Sequence, residues 1–190
     1  MIVRKSMRDV LLKVLGVFPY KISISSNIEY LKRNGLIIGK NFSMMQGCII
    51  DDSHCWMISI GDNVTLAPNV HVLAHDASTK PIVGYTRIAR TSIGNNVFVG
   101  AGSIILPGVT IGDNVVIGAG SIVSKNIPDG VVVCGNEVVK TYEQYADEKR
   151  NEFKKCQEGG KVYDRSYTIL EDPSMDKRIQ MRENENGFVV

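Results

Sequence analysis

The sequence predicts an all-β core, a parallel β-helix of six-residue repeats, with helical segments before and after it. Three observations carry this expectation. The segment TSIGNNVFVGAGSIILPG at 91–108 lies over VTIGDNVVIGAGSIVSKN at 109–126 with roughly half the positions identical, and an internal repeat of that quality outranks local signals. Inside it an aliphatic residue recurs at every sixth position, at Ile93, Val99, Ile105, Ile111, Ile117 and Val123, usually followed by glycine. That beat is neither the spacing of an amphipathic helix nor the simple alternation of a half-buried strand.

Short strands joined by tight turns satisfy the beat, with one aliphatic side chain per strand pointing inward and stacking on its counterpart one coil along. Gly94, Gly100, Gly112 and Gly118 fall at the corners, where a Cβ would crowd the turn or φ must be positive. The chain then divides into a helical segment at 1–35, the β-helix at 36–136 and a helix with a tail at 137–190. Val3, Met7, Val10, Leu11, Val14, Leu15 and Phe18 share one helical face, flanked by Arg4, Lys5, Arg8 and Lys13. Such a helix at 3–18 suits capping or subunit packing, or contact with a membrane surface, but is too short and too interrupted to span a bilayer. Ser25, Ser26 and Asn27 precede a second short helix, IEYLKRN, which Gly35 can close.

Ile38-Gly39 opens the first coil, and ISIGDNVTLAPNVHVLAH at 58–75 falls in the register of the two later ones. Two interruptions break the beat, a small offset at 51–56 and a protruding loop at 76–90. In a solenoid such insertions emerge on one face, commonly the binding face. After Gly135-Asn136 the charged run EVVKTYEQYADEKRNEFKKCQE predicts a helix over 137–158, laid across the open end to cover strand edges.

The composition suits one globular domain of 190 residues: 44% hydrophobic, 22% charged and a net charge of +2 imply neither a nucleic-acid partner nor an acidic tail. Cys48, Cys55, Cys134 and Cys156 are too scattered for paired motifs, and nothing reads as a cleavable export signal, so reduced thiols in a cytoplasm are expected.

All three histidines lie at or between the interruptions: His54 in DDSHCW, His71 in PNVHVL and His75 in LAHDAS. His71 lies within a regular hexad and reads as an outward coil residue. His75 stands where the coil breaks into the loop, with Asp76 next to it, and an imidazole suits a base that takes a proton from an attacking hydroxyl. Asp51 and Asp52 can orient an imidazole or hold a polyol, or else form a solvated turn. Lys80, Tyr85 and Arg87 on the loop suit hydroxyl-rich or anionic ligands.

The IGDNV and IGNNV hexads, the NVTLAPNV segment with its following histidine, and GVTIGDNVVIGAGSIVSKNIP resemble the hexapeptide-repeat acetyltransferases. The similarity is greatest to the maltose and galactoside O-acetyltransferases and the capsule or O-antigen enzymes near them. That resemblance implies a left-handed winding, a homotrimer and acetyl-CoA held between adjacent subunits, with no metal required. It implies His75 as the catalytic histidine. His54 is a second candidate, because DSHCWMISIG is similar to the segment that carries the catalytic histidine of serine acetyltransferases. For the cofactor it implies the turns at Ala101 and Ala119, the polar Ser124 and Lys125, and Phe98 where a tryptophan is typical. GNEVVK at 135–140 departs from the family's ending, leaving Lys140 as a substitute basic residue.

The expected reaction is direct acetyl transfer from acetyl-CoA to a sugar hydroxyl, in a surface polysaccharide or its precursor, with backbone N–H groups stabilising the oxyanion. Amino-sugar N-acetylation, a three-histidine zinc site of the γ-carbonic anhydrase type and a non-catalytic scaffold are the alternatives. The expected location is the cytoplasm, at the inner membrane surface if residues 3–18 bind lipid.

Overall fold

The computed structural model describes residues 28–168, 171, 173–184 and 186–189. The helix expected over 3–18 and the capping residues Ser25, Ser26 and Asn27 lie outside them. The described chain begins with the short helix Ile28–Arg33, which ends before Gly35 at φ +102°.

Four coils follow. The first is β1 (Ile37–Ile38), β2 (Ser43–Met44) and β3 (Ile49–Ile50); the second is β4 (Ile58–Ile60), β5 (Thr65–Leu66) and β6 (His71–Val72). The third is β9 (Thr91–Ile93), β10 (Val97–Val99) and β11 (Ile104–Ile105), and the fourth β12 (Thr110–Ile111), β13 (Val115–Ile117) and β14 (Ile122–Val123). Corresponding strands stack into three parallel sheets, β1-β4-β9-β12, β2-β5-β10-β13 and β3-β6-β11-β14, which form the faces of a prism. The register is the one the sequence repeat demands: Ile105 pairs with Val72 below and Val123 above. The inward residues Ile60, Leu66, Val72, Ile93, Val99, Ile105, Ile111, Ile117 and Val123 are all buried and form one continuous core. Each such side chain contributes roughly 1.5–3 kcal/mol by leaving water.

The corners have two distinct causes. A Cβ on Gly94 would lie 2.7 Å from the Gly112 carbonyl carbon, and one on Gly100 only 2.4 Å from the Ala119 amide nitrogen. Close approach of the next coil, rather than positive φ, is what excludes a side chain there. At the corner between the first and second sheets the left-handed residues are instead asparagines, Asn41, Asn63, Asn96 and Asn114, at φ +54° to +56°; at the next corner they are Gly47, Asn69, Gly102 and Gly120. The side-chain amides of the first corner bond from coil to coil at 2.9, 2.9 and 3.1 Å. Beside them the backbone N–H groups of Lys40, Asp62, Asn95 and Asp113 donate to the side-chain oxygens of Asp62, Asn95, Asp113 and Asp129 at 2.6–2.8 Å. The Gly-x-Asn corner that occurs once in each coil is thus a glycine that admits the neighbouring coil and a left-handed asparagine that turns the chain, and between them Asp62, Asn95 or Asp113 accepts from the coil before.

Two expectations change. The predicted helix over 137–158 starts only at Tyr142: residues Glu137–Thr141 form β16, antiparallel to β15 (Val131–Cys134), which itself extends the β13 sheet. Gly135-Asn136 makes the hairpin turn, with Gly135 at φ +63°, and the β-branched Val138 and Val139 suit a strand. Thr141 then opens the helix Tyr142–Glu158 with a capping box to Gln144. Only Cys156 of that helix is buried, so the hairpin, not a buried helix, continues past the last coil. In the second coil, β6 turns His71 outward and Val72 inward, where it is fully buried. The tail contains β17 (Val162–Tyr163) paired in parallel with β18 (Phe188–Val189), and the helix Met175–Glu183.

Both interruptions are ordered. The first ends in a 3-10 turn, Cys55–Met57. The second is a hairpin of β7 (His75–Asp76) and β8 (Arg87–Ile88), with a 3-10 turn Ala77–Thr79 and a single helical turn Lys80–Val83 at its tip. Among the described residues no helix is long and apolar enough to cross a membrane.

Candidate active site

The two interruptions leave the prism one coil apart, after β3 and after β6, so the fold brings their residues together across the stack. Asp51 follows β3 and is held by its N–H on the Val72 carbonyl at 2.9 Å. Only 3% of it is exposed. Its carboxylate accepts the Ala74 N–H at 3.0 Å and, through the same oxygen, the His75 Nδ1–H at 2.5 Å. The other oxygen accepts the Ser53 hydroxyl at 2.8 Å, the Ser53 N–H at 3.1 Å and the His54 N–H at 3.2 Å. Burial alone would raise this carboxyl's pKa, but the hydrogen bonds from Ala74, Ser53 and His75 outweigh it and hold the group below its ordinary value. Asp51 is therefore a carboxylate whose lone pairs are saturated by donors.

That saturation assigns protons to its neighbours. Asp51 ionised is acceptor-only, so His75 meets it as Nδ1–H and leaves the Nε2 lone pair free. The Ser53 hydroxyl, spending its hydrogen on Asp51, accepts at 3.1 Å from His54 Nδ1. The His54 and His75 rings lie 5.1 Å apart, centre to centre, and the Trp56 ring lies 5.4 Å from that of His54.

The group that grips His75 is thus Asp51, from the coil below, and not its sequence neighbour Asp76. Asp76 spends an oxygen on the Ser78 N–H at 2.9 Å to cap the 3-10 turn. Hydrogen bonds from the Ser78 backbone and side chain, with the Arg87 charge adding, lower its pKa. Asp52 is exposed and takes no part in holding the imidazoles. Lys80, Tyr85 and Arg87 are exposed on the excursion, whose shape is tied by Thr79 Oγ1, donating to the Tyr85 carbonyl at 2.7 Å and accepting the Arg87 N–H at 3.1 Å. Arg87 also reaches the Pro107 carbonyl at 3.3 Å.

Asp51, His54 and His75 offer ligand atoms within 4.8 Å of one another. His71 is not of this group, so the three-histidine set that a γ-type zinc site needs is not assembled. The carboxylate oxygens already accept five hydrogen bonds, and a cation there would have to displace the bond that orients His75.

The residues expected to hold the cofactor are spread over adjoining surfaces. Ala101 and Ala119 are exposed on one stacked corner, where the Gly120 N–H donates to the Ala101 carbonyl at 2.8 Å. Ser124 and Lys125 leave the opposite edge of the β3-β6-β11-β14 sheet, their amides both donating to the Asn136 side chain at 2.8 and 3.1 Å. Phe98, 45% exposed, stands on the next face in a groove with Asn63, Thr65, Asn96, Val116 and Tyr142. Lys140 lies in β16 with its ammonium paired to Glu148 at 2.6 Å. Ser53 was not foreseen. Its only signal in the sequence is its place between an acid and a histidine.

Comparison with known proteins agrees with the hexapeptide-repeat fold. Residues 90–125 match the bacterial transferase hexapeptide family of six repeats. A galactoside O-acetyltransferase of Escherichia coli strain K12 is 43% identical over 124 residues, which are 62% of this chain and 54% of that protein. The chain therefore spans about half of that relative's length. A putative acetyltransferase of Dictyostelium discoideum is 37% identical over 135 residues, 68% of either chain. Among solved structures, a galactoside acetyltransferase in complex with coenzyme A matches with a TM-score of 0.50 at 29% identity, over 74% of this chain and 82% of the other. With its four stacked coils and this degree of identity, the chain belongs to the hexapeptide-repeat transferase family.

Proposed function

We propose that this chain is an acetyl-CoA-dependent O-acetyltransferase acting on a sugar hydroxyl, with His75 as the general base and Asp51 as the group that orients it. One observation carries the reading: a buried carboxylate, satisfied on both oxygens, holds Nδ1 of a histidine whose side chain is 36% exposed. That arrangement fixes the tautomer and supports the positive charge that appears when Nε2 takes a proton.

The acceptor hydroxyl gives its proton to His75 Nε2 as its oxygen bonds to the thioester carbonyl carbon. Backbone N–H groups carry the resulting oxyanion. The carbon–sulfur bond then breaks, and the departing thiolate recovers the proton from the imidazolium, so the histidine ends as it began. No covalent enzyme intermediate is required. Cys48, Cys55 and Cys156 are buried, and Cys134, which is exposed, stands at the end of β15.

The donor assignment is supported by the coenzyme A complex of the structural relative and by exposed surfaces suited to it. Ala101 and Ala119 present backbone with little side-chain bulk, and Lys125 adds an exposed cation for a phosphate. A left-handed winding and a homotrimer accompany this reading, the latter supported by exposed Phe98, Ile122 and Ile82 on the faces and the excursion. A surface polysaccharide, or the precursor of one, is the acceptor proposed.

The test is acetyl-CoA turnover across sugars and amino sugars, reading released thiol and the product's linkage. A hydroxylamine-labile ester on a sugar is the expected product. Amide products alone, or no transfer to any sugar, would overturn the proposal. Light scattering should give three times the chain mass.

A further inference from the structure

One side-chain atom meets the carboxylate and both imidazoles of the site. The Ser53 hydroxyl oxygen lies 2.8 Å from Asp51 Oδ1, 3.1 Å from His54 Nδ1 and 3.3 Å from His75 Nδ1. The backbone there is held without it. The Ser53 and His54 N–H groups donate to Asp51 Oδ1 at 3.1 and 3.2 Å, and the Met57 N–H donates to the His54 carbonyl at 2.9 Å. The hydroxyl is therefore not what shapes the turn, and its bonds concern the rings. A serine hydroxyl has one hydrogen and two lone pairs, and an ionised carboxylate has no hydrogen to give. With the Ser53 hydrogen spent on Asp51, an imidazole meets the Ser53 oxygen only by donating to it. His75 already spends its Nδ1–H on Asp51 Oδ2 at 2.5 Å and makes the longer contact to Ser53. For His54, the Ser53 oxygen is the partner of Nδ1.

We infer that Ser53 is a positioning residue for the proposed reaction: it extends the hold of Asp51 to His54, fixes that ring as its Nδ1–H tautomer, and so makes one carboxylate serve two imidazoles. This rests on the O-acetyltransferase reading above for its chemistry. Which ring nitrogen of a histidine carries the proton is set by the hydrogen bond the other one makes. For His75 that bond goes to Asp51 directly, and for His54 it goes through Ser53. Both Nε2 atoms then carry lone pairs. The one on His75 takes the proton that leaves the reacting hydroxyl, and the one on His54 accepts a hydrogen bond from the acceptor. Released from Ser53, His54 has both tautomers open to it, and its Nε2–H form offers a hydrogen where the lone pair was.

The experiment reads the tautomers directly. With three histidines in the chain, isotope-labelled histidine and long-range proton–nitrogen correlation spectra resolve each ring at about pH 9, above the ordinary imidazole range, and the three histidine-to-alanine variants assign the signals. In the wild type His54 and His75 should both be Nδ1–H. Ser53→Ala should move His54 toward Nε2–H and leave His75 unchanged, and Ser53→Thr, which keeps the hydroxyl at an exposed position, should restore the wild-type pattern. In steady-state kinetics Ser53→Ala should raise the acceptor's KM about three- to tenfold, the worth of one neutral hydrogen bond, with a smaller effect on kcat. Added to His54→Ala, it should raise that KM no further. His54 as Nε2–H in the wild type, an unchanged His54 tautomer in Ser53→Ala, or no restoration by Ser53→Thr would overturn the inference while the transferase reading stands, because the tautomers are read without substrate. Absence of transfer to any sugar would bring down the positioning role together with that reading.

Discussion

Replacing Asp51 by asparagine changes one atom of the site and none of its shape, and the consequences follow from five donors that converge on two oxygens. An amide offers one acceptor oxygen. If its nitrogen takes the place of Oδ2, the Ala74 N–H loses its partner and His75 must meet an N–H with a bare Nδ1, which moves its proton to Nε2 and removes the base. If the nitrogen takes the place of Oδ1, it opposes the amides of Ser53 and His54. The first placement orphans the buried Ala74 N–H, and the second opposes the part-buried His54 N–H and, though an oxygen still accepts from His75, removes the negative charge that supports its imidazolium. The lost donor costs about 1–3 kcal/mol, equivalent to a melting temperature roughly 3–10 °C lower for a chain of this size. The base itself is worth about 10²–10⁴-fold in turnover, or about 2.7–5.5 kcal/mol of barrier. Asp51→Asn should therefore lose most of that factor in kcat at nearly unchanged acetyl-CoA affinity, measured by thiol release and calorimetric titration. The double variant Asp51→Asn/His75→Ala should be no slower than His75→Ala. A further tenfold loss in the double variant would mean that Asp51 touches the acceptor itself, and a single variant within threefold of wild type would refute the orienting role.

Three more outcomes can be checked. His75→Ala should lower turnover by about 10²–10⁴-fold without affecting acetyl-CoA binding, whereas His54→Ala should act mainly on the acceptor's KM; a reversed ranking in steady-state kinetics would move the base to His54. Asp51 has its pKa held below the ordinary 3.8 in the folded chain, so the unfolded chain binds more protons and the contribution to stability is full above that value and lost as pH falls through the lower, folded one. The gap in melting temperature between wild type and Asp51→Asn should accordingly stay constant at neutral pH and narrow below about pH 4; a gap that instead closed between pH 6 and 8 would contradict it. At the corner, Asn96→Ala should melt lower than Asn96→Gly, because Asn96 sits at φ +55° and a Cβ there costs about 1–2 kcal/mol. Equal melting of the two would show that the left-handed turn carries no strain.

The prism was legible because a solenoid writes its contacts at a fixed interval. Ile105 meets Val123 one coil length further along the chain, and it meets Val72 across one coil length plus the excursion at 76–90. The location of the site was legible for the complementary reason, since residues that break a strict beat are free of its packing. Its internal chemistry was not. The bond between Asp51 and His75 joins positions 24 apart, a separation longer than one eighteen-residue coil because the first offset intervenes. The nearer Asp76 therefore looked the better partner. Ser53 and the corner asparagines failed to announce themselves for another reason: a hydroxyl or amide acquires its role only once its neighbours' protons are counted. The β16 hairpin was obscured by composition, because Glu137 and Lys140 read as helical until Gly135-Asn136 is seen to reverse the chain.

The coil spacing also sets a length. His75 leaves the prism just past β6, while Ser124 and Lys125 leave the same edge past β14, and β11 is the one strand between them. Two steps at about 4.8 Å each make a ruler of roughly 10 Å, graduated in whole coils because the corner ladders accept nothing smaller. A lengthening of the fold by duplication of an eighteen-residue unit within 91–126 would move the two ends of this edge apart by one graduation and leave each end internally unchanged. A shift of one residue would turn every inward side chain outward. The length of this edge is thus quantised, and it changes by adding or removing coils rather than by adjusting any one of them.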